Sequence, residues 1–171
     1  MEKIMWLVLG GTAFVAALRA RRSRQARYVG RVALGVLFIA FGAAVNAIYL
    51  AMDNGYYDEF ADPSPFAFVR DTWASLVLPH QGVFIGLLIV FEAAAGVLVL
   101  CGGRWTQAGL VALIGFHVGQ LAFGGVLWAW AAVMLVALVL LLRAERHPVG
   151  TSAAGHARRP RHRTGVRPSL T

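Results

Sequence analysis

The sequence predicts an all-α integral membrane protein built from five membrane-spanning helices. Three observations carry that prediction. The 171 residues are 58% hydrophobic and 14% charged, with a mean hydropathy of +0.65, a balance that belongs to chains whose solvent is lipid. The apolar residues gather into five runs, each near the roughly 20 residues that cross a hydrocarbon core at about 1.5 Å per residue. The cations lie between those runs and not within them, where they set membrane orientation.

The same totals exclude other classes. A net charge of +8 can mark a nucleic-acid binder, but here the basic residues flank apolar segments, so the bilayer is the expected partner and nucleic acid is not. Cys101 is the single cysteine. An intramolecular disulfide and a Cys-x-x-Cys dithiol are therefore both excluded. The length accommodates one bundle and no second folded domain.

The first run, Ile4 to Leu18, extends to Ala20, so 1–20 is read as a helix. Its Met-Glu-Lys start is nearly neutral and a basic cluster follows, the reverse of a secretory signal. It is read as retained, with the N-terminus outside. Arg19, Arg21, Arg22, Arg24, Arg27 and Arg31 come next, and residues 21–30 read as a cytoplasmic loop. Val32 to Met52 is the second span. Gly35, Gly42, Ala43 and Ala44 let other helices approach it, and Asn46 lies near its outer end.

Residues 53–79 form the one long loop, placed outside. Asp53, Asp58, Glu59 and Asp62 interleave there with Tyr56, Tyr57 and Phe60. Ser64-Pro65 reads as an N-cap with proline at the first helical position. Phe66, Val69, Trp73, Leu76 and Val77 then recur at helical spacing. Pro65 to Leu78 is expected to be a short amphipathic helix in the outer interface, ended by Pro79; an irregular loop is the alternative.

Gln81 to Gly103 is the third run, with one charge, Glu92, at its centre. Gly102-Gly103-Arg104 turns the chain on the inner side. Trp105 to Ala122 is the fourth span and contains Gly115-x-x-x-Gly119, a close-packing pattern. Phe123-Gly124-Gly125 reads as a tight hairpin. Val126 to Leu142 is the fifth span, read as the most lipid-facing, with Trp128 and Trp130 near one end. Residues 144–171 are basic and rich in Gly, Ser, Thr and Pro, a composition that buries no core; they are expected to form a disordered cytoplasmic tail. This five-span arrangement, in the cell membrane with the C-terminus inside, leaves only Lys3 and Arg70 of the sixteen cations outside.

A carboxylate at mid-membrane needs a partner, a proton or a function. Counting from the short turn between them, Glu92 and His117 lie at matched depth on adjacent antiparallel helices, which makes a Glu92–His117 pair geometrically feasible. Gln120 is one turn from His117, and Asn46 reaches the level of Gln120. One interior polar cluster of Glu92, His117, Gln120 and Asn46 is expected. It is either a packing network of interhelical hydrogen bonds or a protonatable site that binds a polar ligand or quinone head group, or relays a proton. Other chemistries fit less well. His80 and His117 differ in depth, so one protomer offers no bis-imidazole haem site. Zinc-type spacing is absent, and His147, His156 and His162 are scattered.

From Arg31 to Arg143 the chain resembles the DoxX-like membrane proteins. The resemblance rests on Arg31-Val-Ala-Leu-Gly35 opening a span that continues to Phe41-Gly42. It rests further on Glu92-x-x-x-Gly96 followed by Gly103-Arg104, and on two more spans in a tight hairpin. It implies a four-helix membrane bundle over 31–143, here with one additional N-terminal helix. Members include the membrane subunit of thiosulfate:quinone oxidoreductase. The resemblance marks Arg31, Glu92 and Arg104 as the positions most like the family's polar pattern. Asn46 stands where the family often has a basic residue. The function it implies is that of a membrane subunit of a redox assembly. Quinone is the candidate cofactor, the chain binds none of its own, and a redox enzyme or a second copy is the candidate partner. The alternatives are a small-solute or proton-coupled transporter using the Glu92/His117 cluster, and a structural scaffold.

Overall fold

A computed structural model describes residues 2–52 and 55–147. Asp53 and the basic tail beyond 147 lie outside the described residues. Five helices fill the described chain: α1, Glu2–Arg19; α2, Arg24–Met52; α3, Ala67–Cys101; α4, Gly103–Gln120; and α5, Val126–Arg146. Each packs against the next in sequence, and α5 returns against α1, so the helices close a ring. One core runs through it. Ala13 and Ala17 enter from α1, Leu34, Leu37 and Phe38 from α2, Val99 from α3, Leu110 and Leu113 from α4, and Met134 and Leu138 from α5. The N-terminal helix is thus part of the core and not an appendage to four others.

Helices α2, α3 and α5 are long and apolar enough to cross a membrane. Helix α1 is apolar over a shorter stretch, Ile4–Arg19, and α4 carries Arg104, Gln107, His117 and Gln120 within its 18 residues. Length in the first and polar content in the second set these two apart.

At one end of the bundle, α2 starts earlier than expected. Ser23 accepts a hydrogen bond from Ala26 N at 3.2 Å and caps the helix at Arg24, so most of the presumed basic loop is helical. Arg24, Arg27 and Arg31 then fall on one face. Arg27 donates to Ala144 O at 3.1 Å. Arg31 donates from Nε to Val99 O at 3.0 Å and from Nη2 to Leu100 O at 2.7 Å. These carbonyls end α5 and α3 and have no intrahelical donor, and a cation there also opposes the negative end of the helix dipole. Beside them Thr106 donates to Val99 O at 2.9 Å and accepts from Gly102 N at 2.9 Å. Gly102 and Gly103, at φ +91° and +57°, make the α3–α4 turn that a side chain would strain.

The other end corrects two expectations. The helix after the loop begins at Ala67, not Pro65. Ser64 accepts from Phe66 N at 3.2 Å and donates to Ala122 O at 2.6 Å, so it ties the loop to the α4–α5 turn. Pro79 does not end the helix. A π-helical stretch, Trp73–Val77, and a 3₁₀ turn, Leu78–His80, carry the chain into Gln81–Cys101. The tighter turn accommodates the missing proline N–H. Trp73 stacks on Phe60 with ring centres 5.2 Å apart and meets Phe123 edge-on at 5.5 Å.

Helices approach closely at Gly35 and Gly42 as expected, where a Cβ would lie 2.6 Å from Leu100 and 2.9 Å from Glu92, but not at the Gly-x-x-x-Gly pair. A Cβ on Gly115 or Gly119 would meet nothing within 4 Å, whereas one on Gly109 would lie 2.9 Å from Val99 N and 3.0 Å from Ala95 O. Gly109 therefore seats α4 on α3. Helix α5, expected to be the most lipid-facing, buries Ala131, Met134, Ala137, Leu138 and Leu141 along one face.

Candidate functional site at Glu92

Glu92 is 2% exposed, on the face of α3 that meets α2. Its carboxyl lies over Gly42, where a Cβ would come within 2.9 Å of Cδ and Oε1. One turn further along α2, Asn46 donates from Nδ2 to Glu92 Oε2 at 2.8 Å. Asn46 Oδ1 in turn accepts from the Tyr57 hydroxyl at 2.9 Å, and that hydroxyl also lies 3.3 Å from Asn46 O. The amide orientation follows from its neighbours, N–H toward the carboxyl and C=O toward the phenol. Carboxyl, amide and phenol thus form one hydrogen-bonded line from the bundle interior to the loop.

The phenol is itself held. Trp73 Nε1 donates to Tyr57 O at 2.9 Å. Tyr56 meets the Tyr57 ring edge-on at 5.1 Å and stacks on Tyr49 at 4.1 Å. Burial above all, with Tyr56, Glu92 and Tyr49 adding to it, pushes the Tyr57 phenol up to about 12. It is therefore a hydroxyl donor across the physiological range.

His117 does not join Glu92. Its Nδ1 lies 2.8 Å from Leu113 O. A carbonyl only accepts, so Nδ1 carries the proton. Nε2 is buried without a hydrogen-bond partner among the described residues. Phe38 and Phe116 meet the imidazole edge-on, at 5.8 and 5.5 Å between centres. Gln120 is also apart, with Oε1 buried and unpartnered among the described residues. The expected four-group cluster therefore reduces to Glu92 and Asn46. Matched depth did not bring His117 to the carboxyl, because rotation about the helix axis decides what a side chain faces, and α4 turns His117 toward aromatic rings.

Of the two basic candidates, Arg31 is committed to the carbonyls that end α3, and Arg104 is exposed with its guanidinium 5.1 Å from the centre of the Trp105 ring. Among the described residues there is no cluster of three or more His, Cys, Asp or Glu side chains placed to hold a metal ion. Tyr57 is the member of the site that sequence reasoning passed over as a candidate. Both π-helical stretches touch the site: Leu37–Ala43 contains Gly42, and Trp73–Val77 contains the indole that holds Tyr57. Such stretches are frequent at functional sites.

Fold and site together define an all-helical protein with membrane-length apolar helices and a buried carboxyl bonded through an amide to a loop tyrosine. The chain matches no family model, no curated protein and no solved structure.

Proposed function

We propose that the chain is a DoxX-like multi-pass protein of the cell membrane that crosses it five times, N-terminus outside and C-terminus cytoplasmic, and serves as the membrane subunit of a quinone-linked redox assembly. The orientation follows the charges: the described arginines other than Arg70 gather at the end with the α1–α2 and α3–α4 turns, and Asp58, Glu59 and Asp62 at the loop end. The observation that carries the functional reading is the Glu92–Asn46–Tyr57 line. An interior carboxyl is expensive in lipid and is kept here with a fixed hydrogen-bond partner.

A quinone head group suits these residues, with a carboxyl, an amide and a phenol joined in one chain and the Tyr49, Tyr56 and Tyr57 rings beside them. Bound quinone would supply two-electron, two-proton chemistry, with electrons drawn from the partner enzyme's own cofactor. Asn46 fixes the carboxyl, Tyr57 fixes Asn46, and Glu92 is the group that can hold or release a proton. The transporter alternative drew on a shared Glu92/His117 site; with Glu92 bonded to Asn46 and His117 to Leu113, it loses that motive.

Glu92→Gln tests the reading. Glutamine keeps the shape and can still accept from Asn46, so membrane abundance should be unchanged. Quinone retained on purification from native membranes, or association with the redox partner, should fall about tenfold or more, the loss of one hydrogen bond to a charged group at roughly 1.5–3 kcal/mol. Wild-type levels of both in Glu92→Gln would leave the carboxyl a packing residue and the chain a scaffold.

A further inference from the structure

Along α1 and the first turns of α2 runs an open groove of about 560 Å³, within the roughly 300–1,000 Å³ of small-molecule sites. It has two chemically different parts. Gly11, Val15 and Ala26 give it an apolar floor, and Arg19, Ser23 and Gln25 stand at the end by the α1–α2 turn. Arg27 and Arg31 are committed to carbonyls. Arg19 is exposed, and its guanidinium has no ion pair or hydrogen bond among the described residues. The Ser23 oxygen accepts from Ala26 N, which leaves its hydroxyl proton to donate. Arg21, Arg22 and Arg24 are exposed close by in the chain and make the field at this end strongly positive.

We infer that this groove binds one anionic phospholipid, its phosphate on Arg19 and Ser23 and an acyl chain along Gly11, Val15 and Ala26. Charge selects the class. A cationic mouth at the head-group level favours an anionic lipid over a zwitterionic one, while the apolar floor asks for a chain that a free anion lacks. The inference rests only on α1 and α2 lying in lipid and is independent of the quinone reading.

The test is native mass spectrometry of the full-length protein in detergent, titrated with dioleoyl phosphatidylglycerol, dioleoyl phosphatidylcholine or inorganic phosphate. One phosphatidylglycerol should bind in preference to phosphatidylcholine. Arg19→Gln should weaken it about fivefold, the contribution of one arginine near an anionic surface, and Arg21→Gln, outside the groove and acting only through the field, should weaken it clearly less. Gly11→Leu should block the floor; a Cβ there meets nothing within 4 Å, so the helix tolerates it. Equal binding of phosphatidylcholine, or equal losses in Arg19→Gln and Arg21→Gln, would overturn the site as diffuse attraction. Displacement of the lipid by inorganic phosphate, with Gly11→Leu binding normally, would overturn it in favour of a free-anion site.

Discussion

Replacing Gly42 with alanine is the smallest change that reaches the buried carboxyl. The new methyl would lie 2.9 Å from Glu92 Cδ and Oε1 and 3.1 Å from Oε2, well inside the roughly 3.5–4.0 Å of a relaxed carbon contact. The colliding atoms are the far end of a flexible side chain, so the helices need not part. Glu92 swings away, and what it loses is the 2.8 Å bond from Asn46 Nδ2. An amide left buried without its partner costs about 1–3 kcal/mol. Alanine in place of glycine within a helix returns about 0.5–1 kcal/mol. The net loss is therefore about 0–2.5 kcal/mol, a range too wide to identify the mechanism alone.

A double-mutant cycle isolates it. In an Asn46→Ala background that bond is already gone, so Gly42→Ala should be neutral or slightly stabilising. The coupling between the two positions should equal the bond, about 1–3 kcal/mol. The assay is reversible SDS unfolding in mixed micelles, followed by far-UV circular dichroism. Gly11→Ala is the control, since a Cβ there meets nothing within 4 Å, and it should show the propensity gain alone. Losses from Gly42→Ala and Asn46→Ala that add within about 0.5 kcal/mol would refute the placement of the carboxyl over Gly42.

Tyr57 should ionise near 12 in an absorbance titration, where an ordinary phenol titrates near 10. Its folded value lies above its unfolded one, so its contribution to stability is complete below pH 10 and is lost as pH rises through about 12; Tyr57→Phe should remove a step near 12, and a Tyr57→Phe titration identical to wild type would contradict the burial. Gly109→Ala should cost about 1–3 kcal/mol by overpacking α4 on α3, measured by the same SDS unfolding, whereas Gly115→Ala should be neutral or slightly stabilising. The reverse order would restore Gly115-x-x-x-Gly119 as the packing seam.

The helical character, the apolar runs and both glycine turns were legible because hydropathy and φ requirements are properties of short segments. Glu92 was legible because one charge in a long apolar run stands out, and Asn46 because a polar residue at depth needs a partner. Tyr57 was not: it lies 35 positions before Glu92 in a loop without periodicity, and only the folded loop brings it back over Asn46. A tyrosine pair beside an acidic, aromatic stretch was the available signal. The error over His117 has a different source. Residue counting gives depth along a helix axis, and depth leaves the facing direction free. Pro79 misled for a third reason. Proline removes one donor, and a 3₁₀ turn absorbs that loss where continued packing rewards the longer helix.

The loop that carries Tyr57 is pinned from several sides. Ser64 binds Ala122 O, Arg70 donates to Ser64 O, Trp73 binds Tyr57 O, and a Cβ on Gly124 would collide with Pro63 O. Each contact joins a different part of the loop end, and Tyr57 is the point where they reach the interior. Moving the loop outward would carry the phenol off Asn46 Oδ1 and strip the amide of a buried donor, at a cost of about 1–3 kcal/mol. The amide would then be free to turn, and with it the group that fixes Glu92. The state of the carboxyl and the position of the loop are therefore linked through one side chain, Asn46. Asn46→Asp would put an acceptor where Glu92 Oε2 now receives a donor. Asn46→Ala would leave the carboxyl without its amide partner and the phenol with only its 3.3 Å contact to the main-chain carbonyl of Asn46, so both changes break the line at its one shared link.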